Sequence, residues 1–200
     1  PSHCRRSRCF HHYRHLHKPP NKISILSIVF SIGSTFALYF SNQSSNLFIA
    51  AAIFVQLRLL CNLLDGMVAI EHNKKSSTGD IFNDAPDRIA DILTIIGLGL
   101  AIKETPMALT LSWAAACFAV LTAYIRALGI SIGTPAYFTG PMAKPHRMFL
   151  ATLGCLLQFI FIKLNIEVNI IYYTLLIILT GSALTSLIRL SKIYHHKKNE

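Results

Sequence analysis

The sequence predicts an all-α fold: a polytopic membrane protein with six transmembrane helices and both termini in the cytosol. Three observations carry that reading. Hydrophobic residues make up 52% of the 200 residues and charged residues only 14%, with a mean hydropathy of +0.47, outside the soluble globular range. The apolar residues fall into six separate runs, most of them close to the ~20 residues that a helix needs to cross ~30 Å of hydrocarbon. Lys and Arg crowd alternate breaks between the runs, which sets the orientation by the positive-inside rule.

In chain order, residues 1–19 (PSHCRRSRCFHHYRHLHKP) form a basic, His-rich arm without apolar periodicity. Cys4, Cys9, His11, His12, His15 and His17 are ligands that suit zinc, but their spacing matches no established finger, and a basic arm resting on phospholipid is the simpler reading. The arm is not expected to be a secretory signal, because the helix after it is too long. PPNKIS at 19–24 then starts the first helix: consecutive prolines prevent an earlier start, and Asn21 suits a cap.

The membrane domain, 20–192, reads as helices at 22–41, 47–70, 81–103, 106–129, 148–163 and 168–192, followed by a basic cytosolic tail at 193–200. The arm, the 71–79 loop (Lys74, Lys75), the 130–147 loop (Lys144, Arg147) and the C-terminal end (Arg189, Lys192, Lys197, Lys198) hold the cations, whereas SNQSSN at 41–46 has none. Gly97, Gly99 and the small residues of WAAAC at 113–117 suit close helix packing. Five cysteines are an odd count and three of them, Cys61, Cys117 and Cys155, lie within spans, so they are assigned to packing and not to disulfides. A net charge of +10 without a basic helix of interleaved aromatics points to anionic headgroups and away from nucleic acid. Tyr137 and Phe138 read as interfacial anchors.

The acidic residues are distributed very unevenly. Six of the nine, Asp65, Glu71, Asp80, Asp84, Asp87 and Asp91, lie between residues 62 and 91, at the cytosolic junction of the second and third helices. Ionisable groups at membrane depth are costly and are functional candidates by default. Asn62, Asp65 and Ala69 share one face of the second helix; Asn83 and Asp87 share one face of the third, with Asp80, Asp84 and Asp91 extending the stripe. Hard oxygen ligands across such a gap suit Mg²⁺ or Mn²⁺, and Gly66, Ala69 and Gly79 leave room for a phosphate-bearing ligand beside the metal. The structural alternatives are that Asp80 and Asp84 complement the helix dipole and that Asp91 pairs with Arg88.

This segment resembles the signature of the CDP-alcohol phosphatidyltransferase family, DxxDGxxAR, eight residues, then GxxxDxxxD. Here it reads NLLDGMVAI, EHNKKSST, GDIFNDAPD, with every gap length preserved. The likeness extends to PNKIS, AYIRALG at 123–129 and GPMAKPHRM at 140–148, and covers roughly 20–192.

The resemblance implies displacement of CMP from a CDP-linked lipid, usually CDP-diacylglycerol, by an alcohol acceptor. It further implies that the positions of Asn62, Asp65, Asn83 and Asp87 bind divalent metal, Mg²⁺ or Mn²⁺, and that Asp87 is the general base. Gly66, Ala69 and Gly79 would let the nucleotide lie close to the backbone. Asn62 and Asn83 replace aspartates of the pattern, with Asp84 adjacent as a compensating ligand, and Ile70 replaces its Arg. The missing cationic contact then falls to Arg126 and Lys144, with Arg58 and Arg147 as alternatives, and His146 is a solvated loop histidine that could also meet phosphate. The implied setting is a multi-pass protein of the cell or inner membrane with its active site at the cytosolic face, and a homodimer is expected. The competing functions are an ion or proton transporter, disfavoured because the acids occupy one end of the bundle, and a catalytically impaired membrane scaffold.

Overall fold

The computed structural model describes the backbone of residues 22–71, 79–103 and 105–199, and the side chains of 25–64, 84–103 and 105–199. The zinc-capable arm, the cap at Asn21 and the lysines of the 71–79 loop lie outside the described residues. The remainder is six helices: α1 (Lys22–Tyr39), α2 (Asn46–Glu71), α3 (Gly79–Leu100), α4 (Met107–Ser131), α5 (Lys144–Lys163) and α6 (Ile170–Lys198).

All six expected helices are present, and they differ from the sequence reading mainly at their ends. α5 begins at Lys144 and not at 148, because Pro145 fits the first turn, where no backbone N–H is needed, while the polar KPHR stretch hides that turn from an apolar pattern. α6 runs on to Lys198, its last turn carrying His195, His196, Lys197 and Lys198, which favourably meet the negative end of the helix dipole. Among the described residues, four helices (α4, α5, α6 and the Asn46–Leu64 part of α2) are long and apolar enough to cross a membrane unaided. α1 is short over its described apolar part, Ile25–Tyr39, and α3 carries Asp84, Asp87, Arg88 and Asp91 in its first half.

The helices close into a ring. α1 packs on α2, α2 on α5, α5 on α6, α6 on α4, α4 on α3 and α3 back on α1, while among the described residues α2 and α3 barely touch each other directly. Short connections gather the starts of α1, α3 and α5 with the ends of α2, α4 and α6 at one end of the bundle, where all the candidate site residues lie. The inside holds Leu38, Ile95, Leu98, Ala115, Leu175 and Ile178, while Phe36, Leu63, Trp113 and Leu187 point outward, as suits a lipid solvent.

Lipid is as apolar as a leucine side chain, so burial alone does not bring such helices together; close approach and interhelical hydrogen bonds do. Thr35 Oγ1 on α1 donates to the Leu93 carbonyl of α3 at 2.8 Å. Gln158 of α5 accepts at Oε1 from the Ile170 N–H at 2.7 Å, tying the start of α6 to α5 through one of its end donors. The small residues act as read from the sequence: a Cβ on Gly97 would come within 3.1 Å of the Thr35 Cα, and one on Gly99 within 2.2 Å of the Ser112 Oγ. Cys61 and Cys155 are buried as expected, but Cys117 is exposed on the outer face of α4, because α4 turns Ala115, Ala116 and Ala119 inward.

Gly99→Ala should overpack the α3–α4 seam by about 1–3 kcal/mol. We expect its thermal unfolding midpoint in detergent to fall by several degrees, and a second change, Ser112→Gly, to restore much of the loss.

Candidate active site

Asp91 lies midway along α3 and is 1% exposed. It is held from both sides. Arg58 of α2 binds Asp91 Oδ1 through Nη2, and Arg147 of α5 donates to Oδ2 through its own Nη2 at 3.0 Å. Arg58 also reaches Thr94 Oγ1 at 3.3 Å and the Asp87 carbonyl at 3.4 Å. Arg147 gives its Nη1 to the Met142 carbonyl at 2.9 Å and to Thr122 Oγ1 at 3.4 Å. The pairing of Asp91 with Arg88 expected from the sequence is therefore corrected. The inward face of α3 brings Asp91 to two buried guanidinium groups, and Arg88, one turn from Asp84, pairs with that residue at 2.8 Å.

Above this triad, toward the charged end, a cavity of about 320 Å³ opens between α3, α4, α5, α6 and the 132–143 segment. Five cations line it, Arg88, Arg126, Lys144, Arg147 and Arg189, against two carboxylates, Asp84 and Asp87. Lys144, the first residue of α5, binds Asp87 Oδ2 through Nζ, with both side chains largely buried. Arg126 reaches Asp84 at 3.4 Å and lies 5.2 Å over the ring of Phe138, so it faces the cavity and does not snorkel away from it. Phe138 is 67% exposed, compatible with an interfacial anchor as well as with this stacking. Tyr137 sits edge-on to His196, with ring centroids 6.3 Å apart.

Two features suit this cavity to an anion. The N-terminus of α5 opens onto it, with Ala143, Lys144 and Pro145 in the lining, and helix N-termini attract negative charge. Moreover, the Nε groups of Arg88 and Arg147 are buried donors with no hydrogen-bond partner among the described residues. A buried guanidinium N–H left unpaired is costly, and an anion in the cavity would satisfy it.

Of the residues singled out from the sequence, Asp84, Asp87, Arg126, Lys144 and Arg147 converge on this one cavity. Arg58 is fully buried beneath it, and His146 is exposed outside the lining. Asp84 is half exposed and already carries Arg88 and Arg126. Asn62 is half-buried on α2, and its buried Nδ2 has no partner among the described residues, so its oxygen is the donor it can offer a cation. With the Asp87 carboxylate, that makes hard-oxygen donors of the type that Mg²⁺ or Mn²⁺ requires. The side chains of Asp65, Gly66, Ala69, Gly79 and Asn83 lie outside the described residues, although their backbones belong to α2 and α3.

Sequence reasoning counted Arg189 as a tail cation. It is 4% exposed, donating from Nε to the Thr139 carbonyl at 2.9 Å and from Nη1 to the Thr122 carbonyl at 2.7 Å. The available signal was the polar stripe Ser182, Thr185, Ser186 and Arg189, which marks the inward face of α6. A second, apolar groove of about 450 Å³ lies on the seam of α2 and α5 between Ile49, Ile53, Leu57, Leu60 and Leu156.

A family model described as CDP-alcohol phosphatidyltransferase matches residues 18–186. Among curated proteins, the inner membrane protein YnbA of Escherichia coli (strain K12) is 28% identical over 135 residues, which is 68% of this chain and 65% of that protein's length. Among solved structures, the fold is similar to that of the Mycobacterium tuberculosis phosphatidylinositol phosphate synthase PgsA1. Its complex with manganese and citrate has a TM-score of 0.72 at 19% identity, covering 88% of this chain and 83% of that one. Its CDP-DAG-bound structure has the same TM-score and identity, covering 89% and 87%.

Asp91→Ala strands two buried guanidinium groups and should cost about 3–5 kcal/mol, whereas the triple change Arg58→Met, Asp91→Leu, Arg147→Met should cost far less. Thermal scans and gel filtration in detergent would check this ordering.

Proposed function

This chain belongs to the CDP-alcohol phosphatidyltransferase family, and from that premise we propose that it transfers a phosphatidyl group from CDP-diacylglycerol to an anionic, phosphate-bearing alcohol, releasing CMP. The observation that carries the finer part is the cavity in which the Asp87 carboxylate meets five cations.

Asp87 takes the proton of the acceptor hydroxyl. The oxygen so freed attacks the β-phosphorus of the donor, the bond from that phosphorus to the CMP oxygen breaks, and the phosphodiester lipid remains in the bilayer. Asp65, Asp87 and the side-chain oxygens of Asn62 and Asn83 would hold Mg²⁺ or Mn²⁺, which when bound would neutralise the diphosphate and the departing CMP. Lys144 holds the Asp87 carboxylate in place before the acceptor arrives. Arg126 and Arg88, whose ion-pair partner among the described residues is the half-exposed Asp84, can turn to the acceptor's phosphate, and the Nε of Arg147, without a partner among the described residues, adds to the same positive field. Arg189 is engaged with two carbonyls and shapes the wall. An anionic acceptor fits because a neutral alcohol would leave this excess of buried positive charge uncompensated. By the positive-inside rule the charged end, with both termini, faces the cytosol, where CDP-lipids and phosphorylated alcohols meet. A homodimer remains part of this proposal only as an expectation from the resemblance.

The purified chain in detergent, given CDP-diacylglycerol, Mg²⁺ or Mn²⁺ and pooled alcohols, should release CMP, and chelation should stop it. Asp87→Asn should lower the rate about 10²- to 10⁴-fold, the usual contribution of a positioned base. No CMP release from intact wild-type protein with any acceptor would overturn the proposal.

Arg126→Ala removes a charge-assisted contact of about 1.5–3 kcal/mol, so KM for a phosphorylated acceptor should rise roughly 10- to 100-fold while KM for the donor changes little. Steady-state kinetics with each substrate varied in turn would test this.

A further inference from the structure

The cations that line the cavity are not held equally firmly. Arg147 has Asp91, Thr122 and the Met142 carbonyl, Arg189 has the carbonyls of Thr139 and Thr122, Lys144 has Asp87, and Arg88 has Asp84 at 2.8 Å. Arg126 differs. Its carboxylate contact, at 3.4 Å, is to the same Asp84, which is 56% exposed and already taken by Arg88. Water screens such a pair, so it fixes little. The other partner of Arg126 among the described residues is the ring of Phe138, whose centroid lies 5.2 Å from the guanidinium carbon. With the Arg126 side chain only 26% exposed, that contact is partly desolvated and stronger than one in open water.

A phenyl ring among charges has no hydrogen bond to give. An anchor in the headgroup layer needs no place in the lining of a charged cavity, and Phe138 has one. Its backbone adjoins the pinned end of the 132–143 segment, since Arg189 takes the carbonyl of the next residue, Thr139, at 2.9 Å and Gly140 then turns the chain onto Thr185. From this we infer that Phe138 is a positioning residue acting through Arg126, and that it sets how strongly the cavity takes the phosphate of an acceptor. A ring against a guanidinium engages its spread charge and occupies none of its five N–H donors, so Arg126 is seated and still presents a fork of donors to an anion. A carboxylate in that place would seat it too, but would cancel the charge the anion needs. That the anion is an acceptor's phosphate rests on the transferase reading above; the seating of Arg126 does not.

Binding of inorganic phosphate to the full chain in detergent tests this, followed by phosphorus NMR line broadening with EDTA present so that no metal-held phosphate contributes. Phe138→Leu, at a position 67% exposed where little packing is lost, should weaken phosphate binding about 3- to 20-fold, the range of a cation–π contact, while Phe138→Tyr, which keeps the ring, should stay within about twofold of wild type. In an Arg126→Ala background, Phe138→Leu should cost nothing further. No phosphate binding by the wild type, unchanged affinity in Phe138→Leu, an equal loss with and without Arg126, or a loss in Phe138→Tyr as large as in Phe138→Leu would each overturn the role given to Phe138. CMP release by the same wild-type protein separates the two readings. Release that persists beside any of those outcomes overturns the seat alone, whereas the expected phosphate binding without CMP release from any acceptor supports the seat and overturns the transferase reading.

Discussion

The structure depends on one buried carboxylate shared by two guanidinium groups. Asp91 fastens α3 to α2 through Arg58 and to α5 through Arg147, and those are the helices on which the acidic motif and the basic Lys144 reside. In a bilayer a slip of one helix past another costs little apolar burial, because lipid tails cover what the slip exposes. A buried ion triad is different: moving one member by a turn leaves a charge uncompensated in a low dielectric. Its net worth to stability is therefore less important than its insistence on one register, which places Asp87, one turn from Asp91, opposite the start of α5.

The same logic runs outward from the triad. Thr122 on α4 accepts from Arg147 at its hydroxyl and from Arg189 at its carbonyl, so five helices, α2 to α6, report to a connected set of polar groups near the charged end. Among the described residues, α2 and α3, which carry the two halves of the motif, touch each other little. Their separation is set by what lies between and beside them: α1 packed on both, and Arg58 spanning the gap.

Much of this was legible in the sequence. Six apolar runs gave the helices, the glycines at 97 and 99 marked a close seam, and the acid-rich stretch located the chemical end of the molecule, because each follows from local composition and spacing. Asp84, Asp87, Arg126 and Lys144 do share a cavity. The partner of Asp91 was not legible. Arg88 lies three residues away and is the obvious choice along the helix, whereas Arg58 and Arg147 are 33 and 56 residues distant, and no local pattern distinguishes a near cation from a far one that folding delivers. Arg189 was missed for a related reason: it stands at the head of a basic tail, and its role depends on the carbonyls of Thr139 and Thr122, groups that every residue has.

The 132–143 segment is fastened to the bundle at few points. Its last residues are pinned by the Met142 N–H to Thr185 Oγ1 at 2.9 Å and by Arg189 to the Thr139 carbonyl, and Gly140, at φ +125°, turns there so close to α6 that a Cβ would lie 2.4 Å from the Thr185 methyl. From Gly133 to Phe138 it has no helical backbone, yet it supplies the aromatic floor under Arg126. The helices are locked to one another side by side, whereas this stretch is held only through its far end, where the buried Arg189 and Arg147 take the Thr139 and Met142 carbonyls. Its first half is thus the part of the cavity wall that could move without disturbing the helices: Gly133 to Phe138 carry no helical backbone, so a shift there would carry the Phe138 ring, and with it the seat of Arg126, while the bundle beneath stayed as it is.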